Sequence, residues 1–175
     1  MDQPPLVNSV SYGEYEHLVA PEYLSSFEDS AIKLGAMGVT IFASSGDDGV
    51  AGYLVRDNVS ACGYFPQWPA SSPYVTAVGG TQGPENDLPE VACTSDGGGI
   101  ITTGGGFSNV FGMPSWQQTA VAGGSFSELA INFDQPAPGF NVSGRAYPDI
   151  SALAYNYWIL QGGQWLLVSG TVRIY

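Results

Sequence analysis

Strand, helix and strand follow one another within the first 45 residues, and that succession restricts the fold more than any other feature of the chain. Residues 6–11 (LVNSVS) form a short apolar run closed by the turn-like Tyr12-Gly13, and read as a buried strand. Residues 21–38 read as a helix. Pro21 suits a first helical turn, and Glu22, Glu28 and Asp29 lie towards its N-terminal half. Tyr23, Phe27, Ala31 and Leu34 recur at helical spacing, and Gly35 and Gly38 loosen and end the segment. Residues 39–43 (VTIFA) are rich in β-formers and make a second buried strand. Two strands joined through a helix in so short a span run parallel, with a right-handed crossover. The fold class is therefore α/β, with a parallel sheet flanked by helices.

Sites in open α/β sheets lie beyond the carboxyl ends of the strands. The segment after the second strand, SSGDDGVAGY, is thus both a candidate site and an ordinary candidate for a solvated turn. Residues 74–78 (YVTAV) supply a third strand, ended by Gly79-Gly80. The glycine-dense DGGGIITTGGGFSNVF reads as a loop with close backbone approaches, and residues 112–144 as mostly irregular. Residues 157–160 and 165–168 flank Gly162-Gly163 and read as a hairpin. No internal repeat or interdomain linker is visible, and 175 residues suffice for one core.

Charge excludes one function class. Sixteen acidic residues face Lys33, Arg56, Arg145 and Arg173, a formal charge of −12, so a phosphate backbone is repelled and no nucleic-acid partner is expected. An acidic working environment, in which many carboxylates are protonated, suits this composition, as does that of an ordinary acidic soluble protein. No apolar run is long enough for a membrane-crossing helix, and no signal peptide is recognisable at the start. Cys62 and Cys93 could close a disulfide or stand as two buried thiols. Asn58-Val59-Ser60 and Asn141-Val142-Ser143 are glycosylation sequons, which fit a secretory protein.

Six stretches in order, NSVSYGEYE, GVTIFASSGDDGV, FPQWPASSPYVTAVGGT, GGGFSNVF, FNVSGRAYPDISAL and WLLVSGT, resemble the sedolisins, the serine-carboxyl peptidases, on their tripeptidyl-peptidase branch. The likeness runs from about residue 5 to residue 171. It implies a subtilisin-like fold, with residues 1–175 forming part of a peptidase domain that is incomplete at both ends. It also implies proteolysis at acidic pH, with peptide or protein substrates and release of tripeptides from N-termini or endopeptidase cleavage. A secreted or lysosomal setting follows from the same resemblance.

The resemblance assigns Asp47 as the oxyanion-hole donor. Attack on a peptide carbonyl builds charge on oxygen, and a preplaced donor there is worth about 3 kcal/mol. A carboxyl donates only when protonated, so an aspartate at this place restricts the design to acid. Ser11, Tyr12 and Gly13 match the segment that pairs with substrate backbone, which a strand end can do by β-addition. Asp48 is expected to point elsewhere, Asp149 to be structural, and Glu14, Glu16 and His17 to take no catalytic part.

The family's glutamate and aspartate precede the first strand and are expected to be absent here. Val172 stands where the nucleophilic serine follows Gly-Thr, and a valine has no nucleophilic atom. The family's calcium site lies beyond that point, so no cofactor is expected in this chain. The chain alone is expected to be inactive and poorly stable. The alternative is a catalytically dead relative that binds peptides or proteins. Every valine codon begins with GT, as introns usually do, so read-through of an unspliced intron after Thr171 is one expected origin of the ending.

Overall fold

The computed structural model describes residues 4–123 and 141–171. The predicted strand–helix–strand unit is present as β1 (Val7–Val10), α1 (Pro21–Ala36) and β3 (Thr40–Ser44), with the short β2 (Glu14–Tyr15) between β1 and the helix. But β1 is not the buried strand expected: among the described residues it pairs with β3 alone and leaves Leu6 and Val7 mostly exposed. Next come β4 (Gln67–Trp68), β5 (Thr76–Gln82), β6 (Val91–Ala92), β7 (Gly106–Gly112) and α2 (Ser115–Gly123). The series ends with β8 (Gly144–Tyr147), β9 (Ile150–Leu153), β10 (Tyr157–Gln161) and β11 (Gln164–Val168).

Four strands lie side by side and parallel in the order β1, β3, β5, β9. The register pairs Val10 with Ala43, Ser44 with Val78, and Thr81 with Leu153, so the carboxyl ends of all four leave the sheet on one side. The sheet is mixed: β6 pairs antiparallel with the last two residues of β5. This is the expected α/β class, and it puts the segments after β1, β3 and β9 along one rim.

The core explains the helix pattern. Ala31 packs with Ile41, Ala43, Ala70, Val75, Ala77 and Tyr147, and Phe27 and Leu34 close over them, so three of the four expected apolar positions of α1 face the sheet. Tyr23 does not; it is 69% exposed. Complete burial of each aliphatic side chain stabilises by roughly 1.5–3 kcal/mol, which holds α1 on the sheet without a side-chain N-cap.

Two expectations need correction. The stretch read as a loop contains β7 in its second half, paired antiparallel with β8. The glycines there admit a partner backbone rather than only a turn: a Cβ on Gly144 would collide with the Ser108 carbonyl. Within the segment read as irregular, Ser115–Gly123 is helical, anchored where the Gln117 side chain donates to the Ala146 carbonyl at 2.7 Å and accepts from the Ala146 amide at 3.1 Å. Residues 124–140 of that segment lie outside the described residues. The expected hairpin is β10 and β11, with Trp158 opposite Leu167 and Leu160 opposite Trp165.

Cys62 is exposed and Cys93 buried, and the two are separate free thiols rather than a disulfide. Of the described residues, no helix is long and apolar enough to cross a membrane.

Candidate active site

Asp47 follows β3 by three residues, on the rim where the parallel strands end. Its Oδ1 accepts from the Thr171 amide at 2.7 Å and lies 2.9 Å from the Thr171 hydroxyl. The same hydroxyl accepts from the Gly46 amide at 3.1 Å and lies 2.9 Å from the Gly46 carbonyl, so its single proton goes to that carbonyl or to Oδ1. The Ser-Gly-Thr stretch is thereby tied, across 124 residues of sequence, to the loop that carries Asp47. Gly170 is in turn held to the end of β9, its amide donating to the Ala154 carbonyl at 2.8 Å.

The two oxygens of Asp47 differ. Oδ1 carries the bonds from Thr171, whereas Oδ2 takes no hydrogen bond among the described residues. Oδ2 faces the α-carbon of Gly170, where an added Cβ would lie 3.2 Å away. Gly170 has φ of +154°, a conformation that side chains rarely adopt, so both backbone and space select glycine beside Oδ2.

The loop is buttressed from its other side. Thr102 donates its amide to the Asp47 carbonyl at 2.9 Å, and Gly104 donates to the Gly46 carbonyl at 2.7 Å. A Cβ on Gly104 would collide with the Ser45 carbonyl, so the GGG run expected to permit a tight approach does so here. Asp48 pairs with Arg56 through contacts of 2.5 and 2.8 Å. A groove lined by Asp47, Asp48, Val55, Ser95, Ile100 and Thr102 opens beside the carboxylates.

Ser11 and Tyr12 continue β1 past its last paired residue and are exposed, Tyr12 by 78%. Gly13 leads into β2, which pairs with β4. The side chain of Gln67 in β4 connects the two predicted segments: its Oε1 would sit 3.7 Å from a Cβ on Gly13 and 2.7 Å from one on Gly46. The structure thus brings Gly13 and Gly46 to one and the same carboxamide. Sequence reasoning missed Gln67, because nothing local marks a two-residue strand as a contact between distant segments. It also read Thr171 only as part of a motif.

The remaining residues take structural places. Asp149 accepts from the Ala77 amide at 2.7 Å and from the fully buried Arg145 at 2.6 Å. Glu16 is buried and accepts from the Ser108 hydroxyl and, at 2.9 Å, from the Asn109 amide. His17 is exposed and stacks on Tyr15. Burial raises the Cys93 thiol above its ordinary value, with Glu85 and Asp47 adding to the effect. Burial likewise raises the phenol of Tyr147, whose hydroxyl accepts from the Gln67 amide at 2.9 Å.

Among the described residues no three His, Cys, Asp or Glu side chains gather where they could hold a metal. Val172, expected at the nucleophile position, lies outside the described residues.

No family model matches the chain. It is 39% identical over 158 residues to tripeptidyl-peptidase 1 of Bos taurus and 40% identical over 156 residues to that of Homo sapiens, each alignment covering 89% of this chain. The chain spans about a quarter, 26%, of the length of these relatives. Its fold is similar to that of a Pseudomonas sedolisin, a serine-carboxyl proteinase solved with two molecules of pseudo-iodotyrostatin. That match has a TM-score of 0.67 and 29% identity, and covers 95% of this chain and 44% of the other. With relatives aligned along most of its length, the chain is similar to the sedolisins and, among them, to tripeptidyl-peptidase 1.

Proposed function

We propose that this chain carries the oxyanion side and the substrate-strand side of an acid-acting serine-type peptidase that releases tripeptides from protein N-termini. The observation that carries the reading is the anchored carboxyl of Asp47 at the end of β3, with Oδ1 held by Thr171 and Oδ2 beside Gly170. A protonated carboxyl so fixed can donate to a carbonyl oxygen as charge develops on it, without reorganising at the moment of reaction. A substrate strand added at Ser11, Tyr12 and Gly13 would bring its backbone near the Gln67 carboxamide, which also meets Gly46 of the Asp47 loop. The acid requirement, the sequons at Asn58 and Asn141 and the likeness to tripeptidyl-peptidase 1 support a lysosomal or secreted setting.

The sequence places Val172 directly after Thr171, and this favours a second reading in which the 175-residue chain binds peptide without cleaving it. Titration of the chain with Ala-Ala-Leu-amide at about pH 4, followed by backbone NMR and by product analysis, tests both readings. Binding that perturbs Ser11, Tyr12, Gly13 and Asp47 supports the shared site. Product formation would overturn the second reading, and no perturbation at these residues would overturn the assignment of the site.

A further inference from the structure

We infer that Thr171 is a positioning residue that decides which oxygen of Asp47 carries the proton. This rests on the proposed oxyanion role of Asp47 and deepens it. A protonated carboxyl has one oxygen that donates and one that only accepts. The Thr171 amide, 2.7 Å from Oδ1, can only donate, so a proton on Oδ1 would face another proton. The Thr171 hydroxyl, already accepting from the Gly46 amide, points its own proton at Oδ1 or at the Gly46 carbonyl. Pointed at Oδ1, the hydroxyl makes that oxygen accept twice; pointed at the Gly46 carbonyl, it leaves the donor-only Thr171 amide to hold Oδ1 as an acceptor. The proton of the acid form therefore sits on Oδ2, the oxygen beside Gly170.

The charged and titratable groups around the carboxyl do not supply this asymmetry. Asp48 is engaged by Arg56, and Cys93 is a buried thiol bonded to the Ile101 carbonyl. The backbone bonds from Thr102 and Gly104 reach the carbonyls of Asp47 and Gly46, not the carboxyl oxygens. Thr171 alone among the described residues donates to the Asp47 side chain, and its hydroxyl also ties Asp47 to Gly46, which fixes the rotation of the carboxyl as well as its protonation site.

The test is the NMR scalar coupling across the hydrogen bond from the Thr171 amide nitrogen to the Asp47 carboxyl carbon in the full 175-residue chain. It is recorded at neutral pH and again in the acid form. Persistence of the coupling in the acid form is the expected result, because Oδ1 stays an acceptor. Its disappearance on protonation would overturn the inference, since the proton would then have gone to Oδ1. In Thr171→Val the coupling should weaken while the remaining amide spectrum stays that of a folded chain, and Thr171→Ser should restore it; undiminished coupling in Thr171→Val would remove the hydroxyl from the positioning role. Adding Ala-Ala-Leu-amide in the acid form separates the two levels. If the coupling persists but the peptide leaves Asp47 unperturbed, the oxyanion role fails and the positioning stands.

Discussion

The guanidinium of Arg145, with none of its side chain exposed, meets the Asp149 carboxylate at 2.6 Å. Asp149 also accepts the Ala77 amide within β5, and Arg145 donates to the carbonyls of Val75, Ser72 and Ala146. This pair stitches the segment between β8 and β9 to the central strand. Removal of one member leaves the other buried without its charge partner, which costs roughly 3–5 kcal/mol. Asp149→Ala should lower the midpoint of urea unfolding by that amount of stability; an unchanged midpoint would show that the pair adds little.

Gly104→Ala should be destabilising by about 1–3 kcal/mol, because its Cβ meets the Ser45 carbonyl and forces the Asp47 loop aside. Gly98→Ala, where no atom lies within 4 Å but φ is +84°, is the comparison for backbone strain without collision. Thermal melts of the two variants check the order, with Gly104→Ala expected to melt lower.

Glu28 should make the fold more stable in acid than at neutrality. Burial raises its carboxyl above the ordinary glutamate value, and the nearby Ser72 hydroxyl pulls partly the other way. Above the ordinary value the unfolded chain releases this proton while the folded chain still holds it. The contribution is thus complete below the unfolded pKa and is lost as pH rises through the folded one. Glu28→Gln should flatten the fall in urea midpoint between mildly acidic and neutral pH; an identical pH dependence in the variant would contradict this.

Thiol labelling separates the cysteines. Cys62 is exposed and should react with a thiol reagent in the native chain at neutral pH. Cys93 is buried and its pKa is raised, so it holds little thiolate and should react only on unfolding. A count of one thiol native and two denatured is expected, and no reactive thiol in the denatured, unreduced chain would indicate a disulfide.

Much of this was legible in the sequence, for physical reasons. The βαβ unit shows because β3 is rich in β-formers and α1 repeats Phe27, Ala31 and Leu34 at helical spacing, although β1 is an exposed strand rather than the buried one expected. The hairpin shows because Gly162-Gly163 separates two β-rich runs. β7 was hidden by its glycines, which read as loop but serve close contact with β8, as Gly144 against Ser108 demonstrates. α2 lacked a strong apolar period, and its anchor is a polar side chain, Gln117, bonded to β8. At the site, the family resemblance singled out Asp47, on a loop that its place after a strand left open between a site and a solvated turn. The clamp on Oδ1 and the Gln67 carboxamide were not legible, because both depend on contacts between distant segments.

The exposed face of the β10–β11 hairpin gives a further expectation. Trp158, Leu160, Trp165 and Leu167 are each more than half exposed and stand opposite one another. Such patches promote association. The double substitution of Trp158 and Trp165 to Thr should reduce self-association in analytical ultracentrifugation and weaken binding of a hydrophobic dye; unchanged sedimentation and dye binding would show the hairpin is not the adhesive surface.

The most direct measurement uses a chimera. Residues 5–171 of this chain replace the aligned segment of tripeptidyl-peptidase 1, and release of tripeptides is followed against pH, with and without Asp47→Asn. The account predicts a chimera active in acid. It further predicts an Asn variant whose activity extends to higher pH, because an amide donates in every protonation state, and an Asp47→Ala variant slower by about 10²–10³. A folded chimera without activity, or an alkaline limit left unmoved by Asp47→Asn, would contradict it.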